Sequence, residues 1–323
     1  MKRKLFSVML CAFALLLLMG AAVNPEQAAA LVTEEESTLD FNEVLETDVQ
    51  SLNKVNNMIL SSAIQASLVE QVKENNVDVG MQINGEYAPA DLGRVNRNGV
   101  TYVSLSAMAK ILDETAQPSW NESTRTLTIV TSQMTVKATA DKLYLEANGR
   151  YIYLPDGVML IEGSLSVPLW AVAKIFDASV CWDGVTGTVL VTRGSGAIES
   201  GDSYYDADVL FWLSRVIYAE SGNQPLEGKM AVGNVVMNRV ENARFPDTIK
   251  GVLAQKNQFS TYKNGRLANR TPNESSVIAA KLVLDGGVVE ECEGALYFDS
   301  ASRSWASRHR ECIAVIGGHK FYL

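Results

Sequence analysis

The sequence predicts an α+β multidomain protein: a small duplicated β-α-β module, then a mostly helical domain that closes on a β-hairpin. Three observations carry that prediction. Residues 80–193 are rich in short alternating strands, and the pattern occurs twice. An apolar run over residues 207–219 ends on Glu220 and is broken by Ser221-Gly222-Asn223. Glycine-bounded strand patterns at 295–298, 313–316 and 319–322 end the chain.

The front of the 323-residue chain has the layout of a secretory signal: Lys2-Arg3-Lys4, an apolar stretch to Met19, and small residues ending in Ala28-Ala29-Ala30. Residues 1–30 are therefore expected to be a signal peptide, with an uncleaved membrane anchor as the alternative. In residues 31–79, Leu39, Val44, Leu45, Val49, Leu52, Val55, Ile59 and Leu60 recur at helical spacing. They predict an amphipathic helical stalk that packs on its neighbour, self-associates or acts as a spacer.

From residue 80 to 193 the unit Gly99-Val100-Thr101-Tyr102-Val103-Ser104-Leu105-Ser106-Ala107-Met108-Ala109-Lys110 returns as Gly163-Ser164-Leu165-Ser166-Val167-Pro168-Leu169-Trp170-Ala171-Val172-Ala173-Lys174. Trp120-Asn121 returns as Trp182-Asp183. Each unit reads as strand, short helix, strand, with Trp120, Trp170 and Trp182 assigned to core or hairpin packing. The duplicated unit resembles the copper amine oxidase N-terminal-like domain over residues 81–193, a module of exported Gram-positive proteins. No copper is implied, because the segment has no histidine. Residues 194–203, rich in glycine and serine, read as a flexible linker.

Residues 204–323 carry the chemistry. The first helix ends near Glu220, and Pro225 opens a second that buries Met230, Val232, Val235 and Val236. Asp247 is expected to cap a third short helix, and Thr271-Pro272-Asn273-Glu274 to open a fourth as a capping box with proline in its first turn. Glu220 sits where a helix ends on a turn. Apolar neighbours such as Phe211 and Tyr218 would raise its pKa and make it a proton donor. The alternative is a solvated glutamate at a helix end.

The order and spacing of Ile217-Tyr218-Ala219-Glu220, Glu227-Gly228-Lys229-Met230-Ala231-Val232, Val236-Met237-Asn238-Arg239-Val240, Phe245-Pro246-Asp247-Thr248-Ile249, Gln258-Phe259-Ser260 and Ile316-Gly317-Gly318-His319-Lys320-Phe321-Tyr322 resemble the cell wall hydrolase family of spore cortex-lytic enzymes. The resemblance spans residues 205–323. It implies a lysozyme-like fold and lytic transglycosylase action on the bond between muramic acid and glucosamine in peptidoglycan, with Glu220 as the catalytic acid. Two positions depart from the family: Lys229 stands for glutamine, and Asp299-Ser300 for Asn-Pro. The duplicated module also replaces the peptidoglycan-binding repeat often found ahead of this domain.

One carboxylate suffices for such a reaction, whereas ordinary glycosidases need two. Glu227 is the nearest other carboxylate in sequence, read either as a substrate ligand or as an acid suited to a first helical turn. Gln258, Ser260 and Tyr262 on a loop, and Tyr297 on a strand, are sugar-binding candidates, with capping or core packing as their alternatives.

No cofactor is called for. His309 and His319 have no partner at metal-ligand spacing. Cys292 and Cys312 flank the hairpin and are able to pair, while Cys181 reads as a buried free thiol. The net charge of −9 is concentrated before residue 205, since residues 205–323 carry 14 Lys/Arg against 13 Asp/Glu. That balance argues against nucleic acid as a partner. An exported wall protein without catalysis, and an amidase or endopeptidase acting on peptide stems, are the competing functions.

Overall fold

The computed structural model describes residues 80–256, 258–301 and 303–323; the expected signal segment and stalk, residues 1–79, lie outside the described residues. The first part is built from strands β1 (Gly80–Ile83), β2 (Glu86–Tyr87), β3 (Val95–Arg97) and β4 (Val100–Ser104), helix α1 (Leu105–Leu112), and strands β5 (Gln117–Asn121), β6 (Thr126–Val130), β7 (Thr135–Thr139), β8 (Tyr144–Ala147), β9 (Arg150–Tyr153), β10 (Met159–Ile161) and β11 (Ser164–Pro168). Helix α2 (Leu169–Ile175) and strands β12 (Ser179–Asp183) and β13 (Thr188–Thr192) complete it.

At its centre β4 and β11 run antiparallel, Val103 facing Val167, and each feeds directly into a helix. Their sheet has the order β10-β11-β4-β3; a second has the order β12-β13-β1-β2, with β1 and β13 parallel. A five-stranded meander runs β5-β6-β7-β8-β9. The apolar faces of α1 and α2, including Leu105, Met108, Val172 and Ile175, close the core.

Sequence alternation on β9 decides how the two parts join. Successive strand residues point to opposite faces. Ile152 lies in the core of the first part, while Tyr153 belongs to the core of the second, with Tyr151 packed against it.

The second part contains α3 (Gly201–Tyr204), α4 (Ala207–Ser221), α5 (Leu226–Glu241), α6 (Ile249–Leu253), α7 (Ser260–Lys263) and α8 (Glu274–Leu284), then β14 (Tyr297–Asp299), α9 (Ala306–His309), β15 (Cys312–Ile316) and β16 (His319–Tyr322). Helix α5 is buried on nearly every face, as Met230, Ala231, Val232, Val235 and Val236 require. Its polar residues stitch it to the following chain. Asn234 donates to the Gly287 carbonyl at 2.9 Å, Asn238 to that of Ala295 at 2.9 Å, and Arg239 Nε to that of Leu296 at 2.7 Å. The expected terminal hairpin is present as β15–β16, and β14 joins it to give the order β14-β16-β15.

Several sequence expectations need correction. Thr248, not Asp247, caps α6, its hydroxyl accepting from the Gly251 N–H at 3.1 Å. Asn273, not Thr271, caps α8, so Pro272 lies before the helix. Of the tryptophans assigned to core or hairpin packing, Trp120 and Trp170 are 41% and 38% exposed and so outside the core, Trp120 lying in the β5–β6 hairpin opposite Leu127. Cys181 is exposed because it lies on β12, an edge strand, and Cys292 and Cys312 are unpaired. The stretch read as a flexible linker is held by backbone bonds from Gly196 to Phe176, Ile198 to Ile175 and Gly201 to Asn148.

The seam between the two parts is built on a buried carboxylate. Asp285, at the end of α8, receives both Arg150 Nε at 2.8 Å and Arg150 Nη2 at 2.7 Å, Lys174 Nζ at 2.8 Å, and the Tyr205 hydroxyl at 3.0 Å. Burial alone would raise the Asp285 pKa; the hydrogen bonds from Arg150 and Lys174 outweigh it and hold the carboxyl below its ordinary value. Gly287 lets the strand approach, since a Cβ there would stand 2.9 Å from Tyr153 Cβ. An open cleft of about 270 Å³ beside Asp285 is lined by Tyr153, Trp170, Lys174 and Val288, and by none of the candidate site residues.

Candidate active site

Glu220 lies one residue before the end of α4. The chain breaks there and restarts as α5 after Pro225, whose ring cannot continue the α4 hydrogen-bond ladder. Three contacts hold the break. The Ser221 hydroxyl donates to the Ile217 carbonyl at 2.7 Å, and Asn273 Nδ2 donates to that of Gly222 at 3.3 Å. The Gly318 N–H donates to Gln224 Oε1 at 2.7 Å, which pins the β15–β16 turn onto the break. Gly317 has φ +57° in that turn, and a Cβ there would strike Gln224 and Pro225, so a side chain is excluded on both counts.

Burial raises the Glu220 pKa above the ordinary carboxylate range, with the Arg270 guanidinium pulling in the opposite direction. A carboxyl so placed holds its proton to higher pH than a solvated one, as a general acid must. The sequence credited Phe211 with part of this effect. In the structure Phe211 instead carries the Arg215 guanidinium, 3.4 Å from its ring centroid, and lies nine residues from Glu220, about 13 Å along the helix axis.

The buried His319 ring completes the surroundings. Its pKa is lowered by burial, while Asp299 and the Glu220 backbone carbonyl favour its protonated form. It packs on Phe298, with centroids 5.7 Å apart, and its Nδ1 has no partner. The histidine thus links the end of α4 to the terminal sheet.

The other candidates separate into distinct places. Gln258 Oε1 accepts from Arg239 Nη1 at 2.9 Å; Arg239 is a buried cation whose pKa burial lowers to about 10. Tyr297 stands beside the same guanidinium, 5.4 Å from its ring centroid. Ser260 is exposed at the start of α7. Tyr262 packs edge-on against Trp212 of α4 at 5.2 Å.

Glu227 lies at the seam. Its carboxylate accepts from the Tyr153 hydroxyl at 2.9 Å, so the acid in the first turn of α5 serves to dock β9. Glu227→Gln is expected to lower stability by about 1–2 kcal/mol, from loss of a charge-assisted bond, and to leave KM unchanged. Thermal melts and steady-state kinetics decide this, and a raised KM at full stability would return Glu227 to the sugar site.

Lys229, the residue standing in place of the family's glutamine, is buried and donates from Nζ to the Gln224 carbonyl, so it closes the break from below. Arg270, Trp305 and Arg310 had no place in the sequence analysis, and Asn273 entered it only within a capping box, because nothing in spacing brings them to Glu220 or Tyr297. The capping signature at Asn273 was the one trace available.

With the geometry in place, the comparisons assign the second part. Residues 223–322 match the Cell Wall Hydrolase family. The match opens three residues after Glu220, so the role of that glutamate rests on its surroundings. Residues 82–191 match the copper amine oxidase N-terminal domain.

Similar proteins to the cell wall hydrolase domain include the spore cortex-lytic enzyme of Bacillus cereus, 34% identical over 121 residues, which cover 36% of this chain and 45% of the relative. That of Oceanobacillus iheyensis is 29% identical over 133 residues, covering 40% of this chain and 46% of the relative. The chain thus spans less than half the length of these relatives. Among solved structures, the catalytic domain of the germination-specific lytic transglycosylase SleB of Bacillus anthracis is 30% identical, covering 39% of this chain and all of that domain, with a TM-score of 0.34.

Proposed function

We propose that this chain cleaves the glycan strands of peptidoglycan as a lytic transglycosylase of lysozyme-like fold, with Glu220 as its one acid/base. The observation that carries the reading is a carboxyl with a raised pKa at the break between α4 and α5, at the edge of a segment that matches the cell wall hydrolases.

Glu220 donates its proton to the glycosidic oxygen as the bond to the muramyl anomeric carbon breaks. The resulting carboxylate then takes the proton of the muramyl 6-hydroxyl as that oxygen attacks the same carbon. The products are a 1,6-anhydro end and a free glucosamine hydroxyl, and no water is consumed. Attack from within the sugar gains effective concentration, which replaces a second carboxylate.

Hydrolysis would need a partner acid roughly 5–9.5 Å away. Glu227, the nearest acid in sequence, is engaged by Tyr153 in the seam. A thiol-dependent endopeptidase is disfavoured at Cys292, whose pKa burial pushes up to about 12.

In this reading the protein is exported through residues 1–30 and carries residues 31–79 as a stalk. Residues 80–193 form a duplicated module, and residues 204–323 are the catalytic domain. Its partner is the glycan of the wall, and among the described residues no helix is long and apolar enough to cross a membrane.

Release of anhydro-muramyl ends from purified peptidoglycan, compared between the parent and Glu220→Gln, tests the assignment. A pH profile adds a check with a fixed sign. Activity needs protonated Glu220 in the first step and falls as pH rises through its pKa. Arg270 holds that pKa down, so Arg270→Gln is expected to move the alkaline limb to higher pH. A limb unchanged by that substitution would assign it to another group.

A further inference from the structure

We infer that Trp305 and Arg310 form an outer subsite beside Tyr297 that takes a carboxylate borne by the muramyl residue of the glycan; this rests on the glycan-cleaving reading above. Trp305 is 51% exposed although it belongs to an ordered aromatic group. Its ring lies 5.6 Å from Tyr297 and stacks on His309 at 5.1 Å with 19° between planes. The loop beneath is held by reciprocal bonds: the Ser304 N–H donates to Ser307 Oγ at 2.8 Å, and the Ser307 N–H to Ser304 Oγ at 2.9 Å. Ser304 is tied in turn to Asp299, at the end of the strand that carries Tyr297. The tryptophan is thus a preset platform rather than a side chain on a free loop.

Arg310 supplies the charge. Its guanidinium lies 5.1 Å from the Tyr297 ring centroid and 5.4 Å from that of Trp305. Its side-chain hydrogen bonding among the described residues amounts to one long contact, Nη2 to the Tyr297 hydroxyl at 3.5 Å. Its Nε is buried without a partner, and none of the ion pairs among the described residues includes it.

A guanidinium carries five N–H donors in a planar fork suited to a carboxylate. Here the fork is oriented by two aromatic rings and left without an anion. Arg303, Arg308 and His309 add basic character to the same loop. Tyr297 links this patch to the reaction, because its strand also bears Asp299, which faces His319, and His319 meets the end of α4 at Glu220. Peptidoglycan offers such a carboxylate from two sources: the lactyl group of a muramyl residue that bears no stem, and the peptide stem of one that does.

The test is equilibrium binding to the full chain carrying Glu220→Gln, so that no turnover is needed. Three probes are used: glycan fragments with peptide stems, the same fragments with stems removed and the lactyl carboxylate free, and chitotetraose, which has neither. The stem-bearing or the lactyl fragments are expected to bind about tenfold more tightly than chitotetraose, a difference that Arg310→Gln abolishes and added salt reduces. Preference for the first probe assigns the stem carboxylate, and preference for the second, in which the lactyl carboxyl is released from its amide bond, assigns the lactyl group.

Trp305→Ala is expected to weaken all three probes. Arg310→Lys retains part of the preference, and thermal melts of each variant confirm folding. Affinities unchanged by Arg310→Gln, Arg310→Lys and Trp305→Ala, or chitotetraose binding as well as the other two, would overturn the inference. Failure of the parent to release anhydro ends would instead count against the catalytic reading, which this binding experiment does not depend on.

Discussion

Glu220→Gln is expected to lower the release of anhydro-muramyl ends about a thousandfold, the range typical for loss of a general acid/base. Glutamine matches the shape of the carboxyl but neither gives nor takes the proton. Because Glu220 is half-buried and no ion pair among the described residues includes it, the variant should fold and melt at or slightly above the parent temperature. The sign follows from its raised pKa. The folded state binds that proton more tightly than the unfolded chain does, so the group favours folding below its unfolded pKa, and this contribution is lost as pH rises through the folded value. At neutral pH a partly desolvated charge is a cost that the amide lacks. Binding of glycan fragments should survive the substitution, which separates a chemical role from a positional one. Full activity in the variant would remove Glu220 from the mechanism.

The second large effect is expected at the seam. Asp285→Ala leaves the Arg150 guanidinium buried beside Lys174 with no counter-charge, and removing one member of a buried pair costs about 3–5 kcal/mol. For a folded unit of this size that corresponds to a fall in Tm of about 10 °C. The pH dependence has a definite direction. Since the folded pKa of Asp285 is depressed, its contribution is present above the ordinary carboxylate range and is lost as pH falls through the depressed value. Acid should therefore loosen the seam before it disrupts either core, and the variant should lack that transition. Replacing both partners, Arg150→Met with Asp285→Leu, is expected to recover much of the loss, because two well-packed apolar groups need no compensation. A variant as stable as the parent at neutral pH would mean that the ion pair contributes nothing to docking.

What the sequence disclosed follows from how local each signal is. Periodicity and capping residues gave α4, α5 and α8 to within a few positions, and the broken apolar run drew attention to Glu220 before any geometry was available. Misplaced caps such as Asp247 and Thr271 are one- or two-residue errors. Neighbouring residues compete for the same orphan N–H groups, and the winner depends on chain direction. The failures over distance have another cause. Glu227 was read either as a substrate ligand or as a first-turn acid; it does stand in the first turn of α5, but only folding brings the Tyr153 hydroxyl to it from 74 positions away. Tyr297 stood out by its strand, whereas Trp305 and Arg310 flank a short helix in a stretch whose composition has no periodicity to read. The tryptophans of the first part were assigned to core or hairpin packing on side-chain character alone, which does not decide burial on an edge strand such as β5, with Trp120, or on the outer face of α2, with Trp170.

The alternation on β9 has a consequence for how such chains can be recombined. Tyr153 is part of the hydrolase domain's interior, and the backbone at Gly287 comes so close to it that any side chain there would collide. A different module grafted in front of α3 would leave a bare hollow where that tyrosine sat and an orphaned acid at Asp285. Exchange of the front half therefore requires simultaneous change at Asp285 and Gly287 behind the junction.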